Sequence, residues 1–173
     1  LKFNFIKPES TLAMGNKGVS TSTFFNGPLK KEKIESIEFR PTLDVIEDAI
    51  GSWDASYDKN GTVIASYKDS DGNGLYELYI GGIGKVNTPS NSSNLFRSFN
   101  NLASINFDKY FDTSNTVNMN SMFNNCENLA ALSGINNFNT QNVTNMSQMF
   151  QGCHMLETLD LGSFNTTKVT DMR

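Results

Sequence analysis

The residues best suited to chemistry sit in two short segments. Asp69-Ser70-Asp71-Gly72-Asn73-Gly74 places oxygen ligands at alternate positions, as the start of a calcium loop does. The twelfth position, where a bidentate glutamate closes such loops, is Ile80, with Glu77 at the ninth. A hairpin turn uses the same Asp, Asn and Gly residues without a metal. The sequence leaves open whether Asp69, Asp71 and Asn73 bind calcium, and no metal site is assigned. Cys153, His154 and Glu157 form the one trio suggestive of nucleophilic catalysis, but Cys153 lies on an apolar stripe from which its neighbour His154 should point away. A single His without a ligand cluster argues against zinc. Glu35, Glu38, Asp44, Glu47 and Asp48 form an acidic stretch with no partner base. The expectation is no catalytic residue, no cofactor and no enzymatic activity.

Charge narrows the partners further. The net charge is −4, from 14 Lys+Arg against 18 Asp+Glu, spread along the chain. With no basic patch to neutralise phosphates, nucleic acid and anionic membranes are poor partners. No stretch approaches the roughly 20 apolar residues that span a bilayer, so no membrane insertion is expected. The N-terminal segment is too short and polar for a signal peptide, and the two ends read as boundaries of a fragment.

The elements that must position these residues follow from a repeat. Leu95-Phe96, Phe99, Leu102, Ile105 and Phe111 return 27 residues later as Met122-Phe123, Cys126, Leu129, Leu132 and Phe138. A third copy holds Met149-Phe150, Cys153, Leu156 and Leu159, with Phe164 one residue early. A period in this range, with the spacing Leu156-x-x-Leu159-x-Leu161, predicts stacked copies. Within a copy, Met146, Met149, Phe150 and Cys153 fall at i, i+3, i+4 and i+7, which predicts a short helix capped by Thr144 or Asn145. Leu156 to Leu161 alternates as a short strand does. Cys126 and Cys153 share a slot. On helices ~8 to 10 Å apart they would exceed the ~7 Å Cα limit for a disulfide, so buried free thiols are expected. Met119, Met122, Met146, Met149 and Met172 recur at core positions and read as packing.

Residues 138–153, Phe-Asn-Thr-Gln-Asn-Val-Thr-Asn-Met-Ser-Gln-Met-Phe-Gln-Gly-Cys, followed by Leu156-Glu157-Thr158-Leu159-Asp160-Leu161, resemble the repeat of the BspA-like leucine-rich-repeat surface proteins. The resemblance runs from about Leu95 to the end, and residues 53–82 look like the module that precedes such repeats. In the first copy Asn115-Thr116-Val117-Asn118-Met119 inverts the order of Asn142-Val143-Thr144-Asn145-Met146, which puts its inward residue in question. The resemblance implies a secreted or wall-attached bacterial protein that contacts host cells, matrix proteins or other microbes.

Upstream, residues 53–57, 62–67 and 75–80 read as strands of a β-meander, with Asp58-Lys59-Asn60-Gly61 and residues 69–74 as turns. Ile34-Glu35-Ser36-Ile37-Glu38-Phe39 repeats the spacing of Leu102 to Phe107, as a degenerate first copy would. The expected fold is therefore an α/β repeat solenoid, leucine-rich-repeat-like, with short parallel strands plus short helices and an N-terminal β-rich cap or inserted β-meander. Residues 1–90 form the capping region, with the meander at about 53–80, and residues 91–173 hold about three copies. The expected function is adhesion or ligand binding at the bacterial cell surface, with a host or microbial protein or glycan as partner. The expected binding ladder is Ser104, Asn106, Ser133, Thr158 and Asp160, with Ala131 between. The alternative is a structural stalk or cap without a ligand of its own.

Overall fold

Hydrophobic alternation sets the strands of a computed structural model that describes residues 11–12, 25 and 27–173. In β1 (Ile34–Arg40), Ile34, Ile37 and Phe39 are buried while their neighbours are half-exposed. β2 (Gly51–Asp54), β3 (Val63–Lys68) and β4 (Tyr76–Gly82) pair antiparallel in sequence order. The turn between β2 and β3 is held by Asp54, whose carboxylate accepts from the N–H groups of Ser56 and Gly61 at 2.9 and 2.8 Å. Burial acts to raise the Asp54 carboxyl, yet bonds from Ser56 and Gly61 and the charge of Lys59 outweigh it and hold it below the ordinary value. The turn between β3 and β4 is closed by Asp69, which accepts from Gly72 and Gly74 N–H at 2.7 and 3.0 Å.

β4 then returns to pair in parallel with β1, which pairs in parallel with β6 (Ser104–Asn106), which pairs in parallel with β8 (Ala131–Ser133). The result is one mixed six-stranded sheet in the order β2-β3-β4-β1-β6-β8. Its inner face carries Leu78, Ile37, Ile105 and Leu132 side by side. A second pair, β5 (Val86–Asn87) and β7 (Phe111–Asp112), is also parallel.

This fold overturns the expected α/β solenoid of short helices. The described residues are mostly β and contain no α-helix, only the 3-10 turns Lys31–Lys33 and Ile135–Asn137. Residues 156–161, expected as a strand, pair with nothing in the sheet, which ends at β8. The i, i+3, i+4, i+7 spacing is met by overlapping turns instead: Met149, Gln151 and Cys153 N–H donate to the carbonyls of Met146, Gln148 and Phe150. Gln148 and Gly152 have φ of 56° and 78°, repeating Ser121 and Asn125 at 55° and 58°. Left-handed residues at that spacing end any helix and swing alternate peptides out of the turn.

Those outward peptides join successive copies in four columns. Ser92, Asn94, Phe96 and Ser98 donate to the carbonyls of Asn118, Asn120, Met122 and Asn124. The next N–H along each of those peptides, from Met119, Ser121, Phe123 and Asn125, donates to Asn145, Ser147, Met149 and Gln151. All N–H groups point one way and all carbonyls the other. The entry to each copy is an Asx turn, with Asn118 and Asn145 Oδ1 each accepting at 2.9 Å from the N–H two residues on. Parallel bridges link Asn91, Asn118, Asn145 and Asp171.

Between columns and sheet lies the core. Phe96 and Phe123 stack with ring centroids 5.4 Å apart, and Phe123 and Phe150 at 5.3 Å. This is close to the ~4.7 to 4.9 Å interstrand spacing, not the wider spacing of packed helices. In the first copy Thr116 takes the inward slot that Val143 fills in the next; both are 0% exposed, and Val117 turns out to solvent. The Thr116 hydroxyl is satisfied there by that of Thr88.

Candidate functional site: the polar face of the sheet

The outer face of the sheet is built by the same pairing that buries the inner one. One row runs Tyr79, Glu38, Asn106, Ser133 across β4, β1, β6 and β8, and the next runs Lys68, Glu77, Ser36, Ser104, Ala131 from β3. Three of the expected ladder residues, Ser104, Asn106 and Ser133, are therefore brought together. Ser104 is half-buried, while Asn106 and Ser133 are exposed. Thr158 and Asp160 are also exposed but sit on no strand. They line the far wall of a groove of about 320 Å³ whose near wall is Ala131, Leu132, Ser133 and Gly134. The Asp160 carboxylate accepts from Gly162 N–H at 2.9 Å, which fixes that wall in a turn.

The sequence reading missed the other half of this face. Glu77 Oε2 accepts from the Tyr79 and Ser70 hydroxyls, both at 3.0 Å, with Lys68 Nζ at 3.8 Å. Arg40 and Lys68 lie 5.5 and 5.9 Å from the centre of the Tyr79 ring, and Arg40 pairs with Glu38 at 3.5 Å. Burial, then the bond to Glu77, pushes the Tyr79 phenol up to about 12. Burial alone would raise Glu77, but the bonds from Ser70 and Tyr79 and the charge of Lys68 lower it. At neutral pH this leaves a carboxylate fixed beside a protonated tyrosine between two cations. Only the parallel pairing of β1 with β4 assembles it, and no local spacing reports that pairing.

Residues 90–173 match the family model described as "Mycoplasma protein of unknown function, DUF285". No curated protein and no solved structure matches the chain. The DUF285-matched span holds β6, β8, the groove and every expected ladder residue, whereas the Tyr79 cluster precedes it. The two contribute to one continuous surface because β1 joins them.

The remaining reactive groups are tied into the framework. Asp71 Oδ1 accepts from Asn73 N–H at 3.0 Å, and Asn73 Nδ2 donates to Glu35 at 3.1 Å, so the calcium-like segment is knit as a turn. No group of three or more potential metal-ligating side chains occurs among the described residues. His154 and Glu157 are exposed, while Cys153 is half-buried with its thiol 3.2 Å from the Phe123 carbonyl. Cys126 makes the equivalent bond to Phe96 at 3.0 Å. Both cysteines are free. The distance argument that led to this expectation does not hold, since copies stack near 5 Å; each thiol instead aims at a carbonyl of the preceding copy. Burial pushes the Cys126 thiol up to about 12 and raises Cys153 above its ordinary value as well. Under native conditions at pH 8, a thiol-specific disulfide reagent should modify Cys153 readily and Cys126 only at the rate of global opening. Equal rates at the two sites, followed by mass spectrometry, would contradict this burial.

Proposed function

We propose that this chain is a binding module of a bacterial cell-surface protein, akin to the BspA-like surface proteins its repeats resemble, and that it engages a host or microbial protein or glycan through the outer face of the sheet. The observation that carries this reading is the continuity of that face. It runs from Lys68 and Tyr79 through Glu38, Asn106 and Ser133 to the groove walled by Thr158 and Asp160. Small polar side chains flanked by a fixed aromatic and two cations suit a broad contact with hydroxyl and carboxylate groups. The net charge of −4 and its even distribution disfavour a nucleic-acid partner.

The test is binding of the folded chain to an immobilised panel of matrix proteins and glycans, beside Thr158→Arg/Asp160→Arg and Tyr79→Ala variants with unchanged circular dichroism. Saturable binding reduced about tenfold or more by either variant, ~1.4 kcal/mol, is the expected result. Binding that survives both variants would move the site elsewhere, and no binding across the panel would favour the stalk reading.

A further inference from the structure

We infer that the face formed by Phe150 and Gly152 docks one further polypeptide segment, laid parallel to residues 145–153, and that it cannot pair with a second open face of its own kind. The four peptide columns carry the argument. Two of them close within the chain, Met146 N–H on the Asp171 carbonyl and Gln148 N–H on that of Arg173. The other two run from Phe96 through Met122 and Phe123 to Met149, and from Ser98 through Asn124 and Asn125 to Gln151. Their next donors, Phe150 N–H and Gly152 N–H, meet no backbone acceptor among the described residues. The equivalent donors one copy earlier, Phe123 and Asn125, are both satisfied, at 2.9 and 2.7 Å.

Beside these donors lies an apolar cavity of about 520 Å³ lined by Met146, Met149, Phe150, Leu161, Phe164 and Met172. One side of the Phe150 ring stacks on Phe123, with planes 5° apart. The face thus continues the interface already formed between residues 118–126 and 145–153, with the same donors, ring and aliphatic floor.

The chemistry of the occupant follows. It presents carbonyls at every second residue, as Met149 and Gln151 do to Phe123 and Asn125, and an aromatic ring between them that stacks on Phe150. The direction is fixed because the edge consists of donors alone. Two such faces brought together would oppose N–H to N–H, which excludes an isologous dimer through this edge.

The probe is a synthetic peptide of sequence 148–164 carrying Cys153→Ser. It resumes the pattern where Arg173 stops, because Asp171 bridges Asn145 and Arg173 thereby fills the slot of Ser147. Amide exchange is read by NMR on the full chain. Without peptide, Phe150 and Gly152 should exchange at least about tenfold faster than Phe123 and Asn125. Millimolar peptide should slow them by about tenfold or more, while a scrambled peptide leaves them unchanged. Three results would overturn the inference: protection of both amides in the peptide-free monomer equal to that of Phe123 and Asn125, no slowing by the peptide, or a symmetric dimer that protects them at high protein concentration.

Discussion

Phe123→Ala should cost about 3 to 5 kcal/mol of folding stability, the range for truncating a large buried aromatic. The ring is 0% exposed and sandwiched, with Phe96 at 5.4 Å on one side and Phe150 at 5.3 Å on the other, both nearly coplanar with it. Phe107 also meets it edge-on at 6.1 Å. Removing it opens a void between three copies, and the hydrogen-bonded columns on one side keep the neighbours from collapsing into the space. Domains of this kind are stable by only about 5 to 15 kcal/mol, so the loss is a large fraction of the whole. Urea denaturation checks it, with Phe150→Ala as the comparison. Phe150 is half-buried and has a ring neighbour on one side only, so its truncation should cost about half as much by the same reasoning. Equal losses would mean that the stack does not act through its middle member.

Gly134→Ala should be costly for a different reason, and Gly72→Ala supplies the control. Both glycines have positive φ, 79° and 74°, so both substitutions incur the left-handed penalty of about 1 to 2 kcal/mol. At Gly72 a new Cβ would meet nothing within 4 Å. At Gly134 it would lie 2.6 Å from the nitrogen and 2.8 Å from the carbonyl oxygen of Asp108, backbone atoms of the preceding copy that cannot rotate away. Gly134 is where one copy turns out of β8 across the chain that leaves β6. The expected result is a loss near 1 kcal/mol for Gly72→Ala and about 3 kcal/mol or more for Gly134→Ala. Matched losses would show that the close approach is relieved by a backbone shift.

What the sequence revealed depended on how local the signal was. The period aligning Ile37 with Ile105, and Ile105 with Leu132, appears as the register of β1, β6 and β8 because one-face burial fixes register strongly. Asn60-Gly61 and residues 69–74 marked turns, since their side chains and left-handed glycines do so wherever they fall. The helix at Met146 to Cys153 was misread for a physical reason. Overlapping turns and an α-helix place apolar side chains at the same intervals, and only the backbone at Gln148 and Gly152 separates them. A glutamine with φ of 56° carries no sequence flag, although the serine and asparagine at its equivalent positions offered a faint one. Leu156 to Leu161 had the alternation of a strand, but alternation cannot say whether an edge is close enough to pair. The Tyr79 cluster was hidden because β4 joins β1 in parallel after the meander, a long-range choice that leaves no local trace.

The four columns also give the protein an electrical axis. Each peptide unit carries a dipole of about 3.5 D, and those at Asn120-Ser121, Met122-Phe123 and their equivalents align head to tail from copy to copy. They sum as peptide dipoles do in a helix, although no helix is present. The end at Phe150 and Gly152 therefore bears a fractional positive charge in a chain whose net charge is −4. Each bond in a column also polarises the next. Every added copy thus lengthens the dipole and strengthens the bonds behind it, so the structure is more tightly knit at its centre than its separate bonds would suggest.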